Sequence, residues 1–489
     1  MGGSVIGPAN TTGEPHVPRS PLADAWRAAM ALHRKPLQIP GHKNRYATND
    51  EVLGADLLRA IVRDDLPLQG GVDDNSFTNR YLEAAEDLWS TAVGADHSRF
   101  LVGGSSQGNI AALSTVTRPD RPVAVDRTSH RSTHAALVIS GARPVWVYPD
   151  LDPEFGLPIG LPASDLEKVH ADVTAFFVTS PSYVGTLCDV RALADVTHAR
   201  GIPLIVDQAW GAHLGFLPGR GAIPQGADIT VTSVHKALMG YSQTAVITMR
   251  DGLVDSRHLD RCVDLVATTS PSGTLMASID ATRAVMERDG SAALERTIDF
   301  VRVMRRRLAQ VAGLVVLDDE NVRSGVDPFK VTLWLPRTGV SGIDLNGRLW
   351  NLGHGPESAD RDTLVITVSL LDEPAFLEQV TGQLIALIEE LRGEPRVGIS
   401  SAVWSIEPEV VVTPREAFFA KRRRLDLADA VGEVSAEQFC PYPPGIPLVA
   451  PGERVTREAV EAIGVAARIG RVAYSSDPSL TTIEVIDEL

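Results

Sequence analysis

Residues 203–236 read PLIVDQAWGAHLGFLPGRGAIPQGADITVTSVHK. The run from Pro203 ends on the carboxylate of Asp207, and ITVTS at 229–233 repeats the pattern just ahead of His235 and Lys236. Short apolar runs without polar alternation are strands covered on both faces, and strands of that kind lie in parallel sheets joined by crossovers. Outward from this pair the same signature recurs as FLVGG (100–104), PVAVD ending at Asp126, PVWVYP (144–149), AFFVTS (175–180) and TAVITM (244–249). Between these runs, 79–93, SHRSTHAALVISG closed by Gly141, and VRALADVTHARG carry helical spacing. The alternation predicts an α/β fold with a mostly parallel sheet.

After about residue 290 the pattern changes. A long helix at 291–312 is expected, followed by the strands LVVLD, VTLWLP and LVITVSLL and by helices at 342–351 and 373–393. This reads as a smaller α+β unit. The Pro-rich stretch PYPPGIPLVAPGE (441–453) suits a segment that wraps the surface or lines a cleft.

Composition bounds the function. Of 489 residues, 44% are hydrophobic and 22% charged, which is ordinary for a folded protein of several domains. No apolar run approaches the roughly 18–20 residues of a membrane span. A net charge of −16 argues against nucleic acid as a partner and reads as solubility. The three cysteines, Cys188, Cys262 and Cys440, are far apart and in no CxxC pattern, as expected of a reducing, cytoplasmic compartment. The N-terminus lacks a basic start and an apolar stretch, so no signal peptide is expected, and Ile6 stands where a myristoylation motif after Gly2 needs Ser or Thr. The first 20 residues read as a flexible arm. Lys421 to Arg424 reads as a solvated loop, and His42 and His213 as hydrogen-bonded residues with no metal site.

In open α/β sheets ligands bind at the carboxyl ends of the strands. Those ends here carry GGSSQGN, DRTSH, TSPSY, DQAW and VHK. The loop before Ser105, Ser106 and Gln107 opens a helix whose free amides suit a phosphate dianion, although it is neither a Walker loop nor a GxGxxG fingerprint. Asp207 alone reads as a helix cap before it reads as a charged partner for something buried, and Lys236 alone as a surface lysine. Taken together, an anion cradle, a lysine for an aldehyde, a carboxylate for a pyridine nitrogen and His130 for ring stacking meet the needs of pyridoxal phosphate.

With these residues in place, the chain closely resembles the ornithine/lysine/arginine decarboxylase family in its short form, which lacks an N-terminal wing domain. The matching segments are IPGHK (39–43), GGSSQGN (103–109), DRTSHRSTHAALVISGA (126–142), residues 179–213, TSVHKALMGYSQ (232–243), TTSPSGTLMASIDATR (268–283), TPREAFFAK (413–421), VSAE (434–437) and CPYPPGIPLVAPGE (440–453). The resemblance covers about residues 20–470. It implies the pyridoxal-phosphate fold type I, aspartate aminotransferase-like, with an arm at 1–20, a segment packing on the large domain at 21–79, a cofactor domain at 80–310, a small α+β domain at 311–393 and a C-terminal region at 394–489. It also implies Lys236 as the Schiff-base lysine, Asp207 as partner of the ring nitrogen and His130 as the stacking residue. Ser105, Ser106, Ser233 and His235 would hold the phosphate, with Gln107 a further candidate, and Trp210 would sit near the ring or substrate. Thr269 and Ser270 would reach the phosphate of a second subunit, making a homodimer or higher homo-oligomer the active unit.

The implied reaction is loss of the α-carboxylate of arginine, lysine or ornithine as CO₂, a step in polyamine metabolism, with the resulting carbon protonated by His235 or a neighbouring group. Glu437 and Glu453 are candidates for the substrate's cationic end, with solubilising surface residues as the alternative. Departures from the family pattern are Gln208 and Trp210 in DQAWGAH, Val234 in Ser233-Val234-His235-Lys236 where relatives read STHK, and the continuation ALMGYSQ. They leave room for oxidation, deamination or transamination of a basic amino acid on the same scaffold. A catalytically silent homologue is disfavoured by the joint presence of Lys236, Asp207 and His130.

Overall fold

The computed structural model describes residues 19–31, 64–73, 80–169, 172–398, 406–442, 445–468 and 472–488. The expectations placed on the N-terminal arm and on His42 in IPGHK lie outside these residues.

The apolar runs become strands because both of their faces are covered. In β5 (Leu204–Asp207), Ile205 packs into one core with Leu113, Phe177 and Val231, while Leu204 and Val206 pack into another with Leu193 and Val178. The other strands of this sheet are β1 (His97–Leu101), β2 (Val123–Asp126), β3 (Pro144–Val147), β4 (Phe176–Thr179), β6 (Ile229–Ser233) and β7 (Ala245–Met249). They lie in the order β1-β7-β6-β5-β4-β2-β3, with β7 antiparallel to both neighbours and the rest running one way. The carboxyl ends of β1, β2, β4, β5 and β6 therefore share one edge, and the polar clusters that follow them are brought together there.

One unbroken helix, Gly273–Leu308, leads from this sheet to a second one. It begins well before the expected start at 291, because the Ser272 hydroxyl caps it at Leu275 and the GTLMASIDATR segment is helical. The second sheet is antiparallel, in the order β10-β11-β9-β8, with β8 (Val315–Val316), β9 (Lys330–Trp334), β10 (Ser358–Ala359) and β11 (Thr363–Thr367). Helices Gly342–Asn351 and Pro374–Glu390 cover one face, burying Val331, Leu333, Leu345 and Leu384.

Two further pairs follow, β12 (Arg422–Asp426) with β15 (Thr482–Ile486) and β13 (Cys440–Tyr442) with β14 (Val472–Tyr474), around a core containing Phe439, Ile463 and Val485. Here the sequence expectation is corrected. The basic run at 421–424 is not a loop, since Arg422 and Arg424 lie in β12 and ion-pair with Glu484 on β15, while Arg423 pairs with Glu433. Near the N-terminus, helix Pro21–Ala31 is tied to the long helix by the buried Asp280, which accepts from the Leu22 and Ala23 amides at 3.0 and 3.2 Å. Cys188, Cys262 and Cys440 are separate, buried and unbridged.

Candidate active site

The strand ends converge on a cavity lined by Ser105, Thr128, His130, Thr179, Asp207, Trp210, Lys236 and Ile446, with Pro158, Ser182, Tyr183 and Ala209. Five of the residues named from sequence, Ser105, His130, Asp207, Trp210 and Lys236, thus meet in one place. The Pro-rich stretch contributes Ile446, and Arg127 holds that stretch down by donating to the carbonyls of Pro447 and Leu448.

Asp207 closes β5 and is buried. Its Oδ2 accepts from Asn109 Nδ2 at 2.8 Å and its Oδ1 from the Ala209 amide at 3.0 Å. No basic side chain lies within ion-pairing distance among the described residues. Burial raises its pKa, opposed by the Asn109 hydrogen bond, the charge of Lys236 and the Ala209 amide. A buried carboxylate held only by neutral donors is costly, and a positive group brought against it would offset that cost. Lys236 stands on the short turn after β6, and burial lowers its proton affinity against the pull of Asp207 and Glu357. Its Nζ lies 4.0 Å from the centre of the Trp210 ring.

His130 caps helix Arg131–Ser140, where its Nδ1 accepts from the Ser132 amide at 3.2 Å and lies 2.9 Å from the Ser132 hydroxyl. That hydroxyl in turn accepts from Asn109 Nδ2 at 2.9 Å. One amide thereby orients both Asp207 and, through Ser132, His130. Burial and the charges of Lys236 and Arg131 push the His130 pKa down to about 4, so the ring is neutral and suited to stacking. Asn109 lay inside the quoted GGSSQGN motif, but its role depends on the helix Gly104–Val116 turning it toward β5.

For the phosphate candidates the structure gives separate placements. Ser105 and the exposed Ser106 lie in the first turn of helix Gly104–Val116. Gln107 turns its Oε1 back to accept from the Gly103 amide at 2.9 Å, which closes its own loop. The Ser233 hydroxyl is fully buried with no hydrogen-bond partner. His235 Nδ1 contacts the Thr244 carbonyl at 2.8 Å, and burial lowers its pKa. Thr269 and Ser270 are exposed in the loop before the long helix, away from the cavity lining of their own chain.

Glu437 and Glu453 are outside the lining. The Glu437 carboxylate accepts from the Ser476 amide (2.6 Å), the Ser476 hydroxyl (3.0 Å) and the Glu484 amide (2.7 Å), tying the C-terminal strands together. Glu453 is buried against Arg127 at 3.1 Å and accepts from the Ala450 amide at 2.7 Å. The sequence reading passed over Lys330, whose Nζ lies 3.5 Å from the centre of the same Trp210 ring that faces Lys236. It also left His213 among structural residues, where it bonds Asp327 at 2.8 Å.

Comparison with known proteins bears on the chain as a whole. Residues 20–357 match the family model for the Orn/Lys/Arg decarboxylase major domain, and residues 398–468 match that for the C-terminal domain. An arginine decarboxylase of Halalkalibacterium halodurans is 31% identical over 94% of this chain and 96% of its own length. One from Bacillus subtilis is 30% identical over 93% of the chain and 96% of its own length. Among solved structures, a lysine decarboxylase of Francisella novicida superposes with a TM-score of 0.79 at 20% identity, covering 96% of this chain and 81% of that one, a likeness of fold.

Proposed function

Because the chain belongs to the Orn/Lys/Arg decarboxylase family, we propose that its cavity holds pyridoxal phosphate and that its preferred substrate is arginine. The enzyme is an amino-acid decarboxylase that releases CO₂ from a basic amino acid. One observation carries the cofactor reading: a buried carboxylate without an ion pair, Asp207, shares a cavity with Lys236 and His130. The buried Ser233 hydroxyl, at the end of β6 and without a partner among the described residues, fits an acceptor such as a phosphate oxygen.

Lys236 Nζ is the attachment point, and its lowered proton affinity leaves more of it as free amine at neutral pH. Asp207, held by Asn109 and the Ala209 amide, would keep a proton on a ring nitrogen facing it. His130, held neutral, offers a flat face without adding charge. Ser105, Ser106, Ser233 and His235 would hold the phosphate; His235 engages the Thr244 carbonyl through Nδ1, so its Nε2 donates to an anion only when the ring takes up a second proton, which a bound dianion would favour against the burial that lowers its pKa. When bound, pyridoxal phosphate supplies the electron sink for the pair left behind as CO₂ departs. Trp210 and Ile446 cover the cavity with apolar surface, which strengthens the electrostatic interactions inside.

Arginine is favoured by the names of relatives at about 30% identity. We place the active unit as a homodimer in which Thr269 and Ser270, both exposed, with Ser270 bonded to the neighbouring Thr268, reach the partner's cofactor. We assign a cytoplasmic location from the unbridged cysteines; no helix among the described residues is long and apolar enough to cross a membrane. The test is incubation of the protein with pyridoxal phosphate and each of arginine, lysine and ornithine, assaying CO₂, amine, ammonia and peroxide. CO₂ and amine in equal amounts, greatest for arginine, are expected. Peroxide or ammonia with the carboxylate retained would replace decarboxylation by oxidation or deamination.

A further inference from the structure

We propose that Lys330 is a positioning residue for Lys236: it seats its ammonium on the face of Trp210 from the antiparallel sheet, holds the indole against the reacting amine and keeps a second positive charge beside it. The inference rests on the reading of this cavity as the cofactor site.

The contact is built from several sides. Lys330 opens β9 and is 1% exposed, and its Nζ donates to Thr367 Oγ1 at 2.7 Å, on the residue opposite it in β11. The Trp210 ring centre is 3.5 Å from Lys330 Nζ and 4.0 Å from Lys236 Nζ, so one indole serves both ammonium groups. The Lys330 stem is covered by Gly185, which has φ +90°; a Cβ there would come within 2.7 Å of the Lys330 Cβ. The same segment grips the other end of the loop after β5, since Asp327 bonds His213 at 2.8 Å and the Phe329 ring stacks on that imidazole at 4.2 Å and 5°. Residues 327–330 thus clamp both Trp210 and His213, and the clamped loop begins at Asp207.

Why a lysine should stand there is the chemical point. Its three donors meet one hydroxyl and one ring face, and no carboxylate pairs with it among the described residues. An apolar residue would pack the same space without this desolvation cost. Burial brings its pKa down to about 8, opposed by Asp327 and Glu357 and assisted by Lys236, so it is mostly protonated at neutral pH. The charged or titratable groups acting on or beside Lys236 are Asp207 on β5, Glu357 before β10, His130 at the start of the helix after β2, its neighbour His235, and Lys330 on the Trp210 ring. Of these, Lys330 is the further cation that shares the Trp210 ring with Lys236, and a like charge placed there would disfavour a proton on Lys236.

The experiment measures the pH midpoint of the visible absorbance of the pyridoxal-phosphate-loaded protein, which reports protonation at Lys236 Nζ. In Lys330→Met the like charge is gone, so the midpoint should rise by about one pH unit. Lys330→Arg keeps the charge and should keep the native midpoint. If Lys330→Met is not recovered folded, Lys330→Gln, which retains a donor toward Thr367, makes the same comparison. A midpoint equal to the native one in a folded, neutral variant, or spectra of both proteins that do not respond to pH, would overturn the proposal and leave Lys330 a packing residue. Native protein that neither takes up pyridoxal phosphate nor releases CO₂ breaks the underlying functional reading instead, before any variant is made.

Discussion

Charges are buried at two places around strand β2, under different rules. Beyond its end, Arg127 meets Glu453 at 3.1 Å and the carbonyls of Pro447 and Leu448, and Glu453 also accepts from the Ala450 amide. Across the sheet edge, Asp207 has amide donors but no ion pair among the described residues, and Lys236 faces the same cavity with an indole for a neighbour. The first arrangement is closed, and serves to tie the Pro-rich C-terminal stretch to the sheet. The second is open, and its unmet charge is what a cofactor would satisfy. The difference teaches that a buried charge marks chemistry when its partner is missing, and architecture when its partner is supplied by the chain.

The variants that probe this contrast separate activity from stability. Asp207→Asn should lower kcat by about 10²–10⁴-fold, while the unfolding midpoint stays level or rises, because a neutral amide is cheaper to bury than a carboxylate. Steady-state rates and a denaturant titration on the same preparation check both halves. Glu453→Gln should do the reverse: about 3–5 kcal/mol of stability lost through the stranded Arg127 charge, with KM for the substrate unchanged. A raised KM at native stability would instead put Glu453 in contact with the substrate.

Smaller effects sharpen the picture. Asn109→Ala removes the amide that orients Asp207 and, through Ser132, His130, and should reduce turnover about 10–100-fold with only a modest loss of stability. Glu437→Gln should cost about 1–2 kcal/mol by weakening the bonds to Ser476 and Glu484, with no change in rate or KM. Equal effects of these two on rate would erase the distinction between the open and the closed cluster.

Much of the open cluster is legible in the sequence, because each of its members follows a short apolar strand and strand ends share one edge of a parallel sheet. Asp207, Lys236, His130 and Ser105 were named on that ground, and all four line the cavity. Lys330 is not legible in this way. It sits at the start of a strand in another sheet, and only the β9–β11 register together with the clamp on His213 brings it to Trp210. Asn109 was visible as a letter in a motif, but its bond to Asp207 follows from how a helix packs on β5. For Glu437 and Glu453 the residue type was readable and the partners were not, since those come from Ser476, Glu484 and Arg127, distant in the chain. The basic run at 421–424 failed for the same reason, its acidic partners Glu484 and Glu433 belonging to β15 and a separate turn.

The central claim is that the open cluster around Lys236 performs decarboxylation. It is tested most directly by loading the native protein and Lys236→Ala with pyridoxal phosphate and following CO₂ from arginine, lysine and ornithine. The account predicts CO₂ and amine in equal amounts from the native protein, and a rate lower by about 10⁴-fold or more in a Lys236→Ala protein that is folded. No CO₂ from any of the three with native protein, or a native rate in Lys236→Ala, would contradict it.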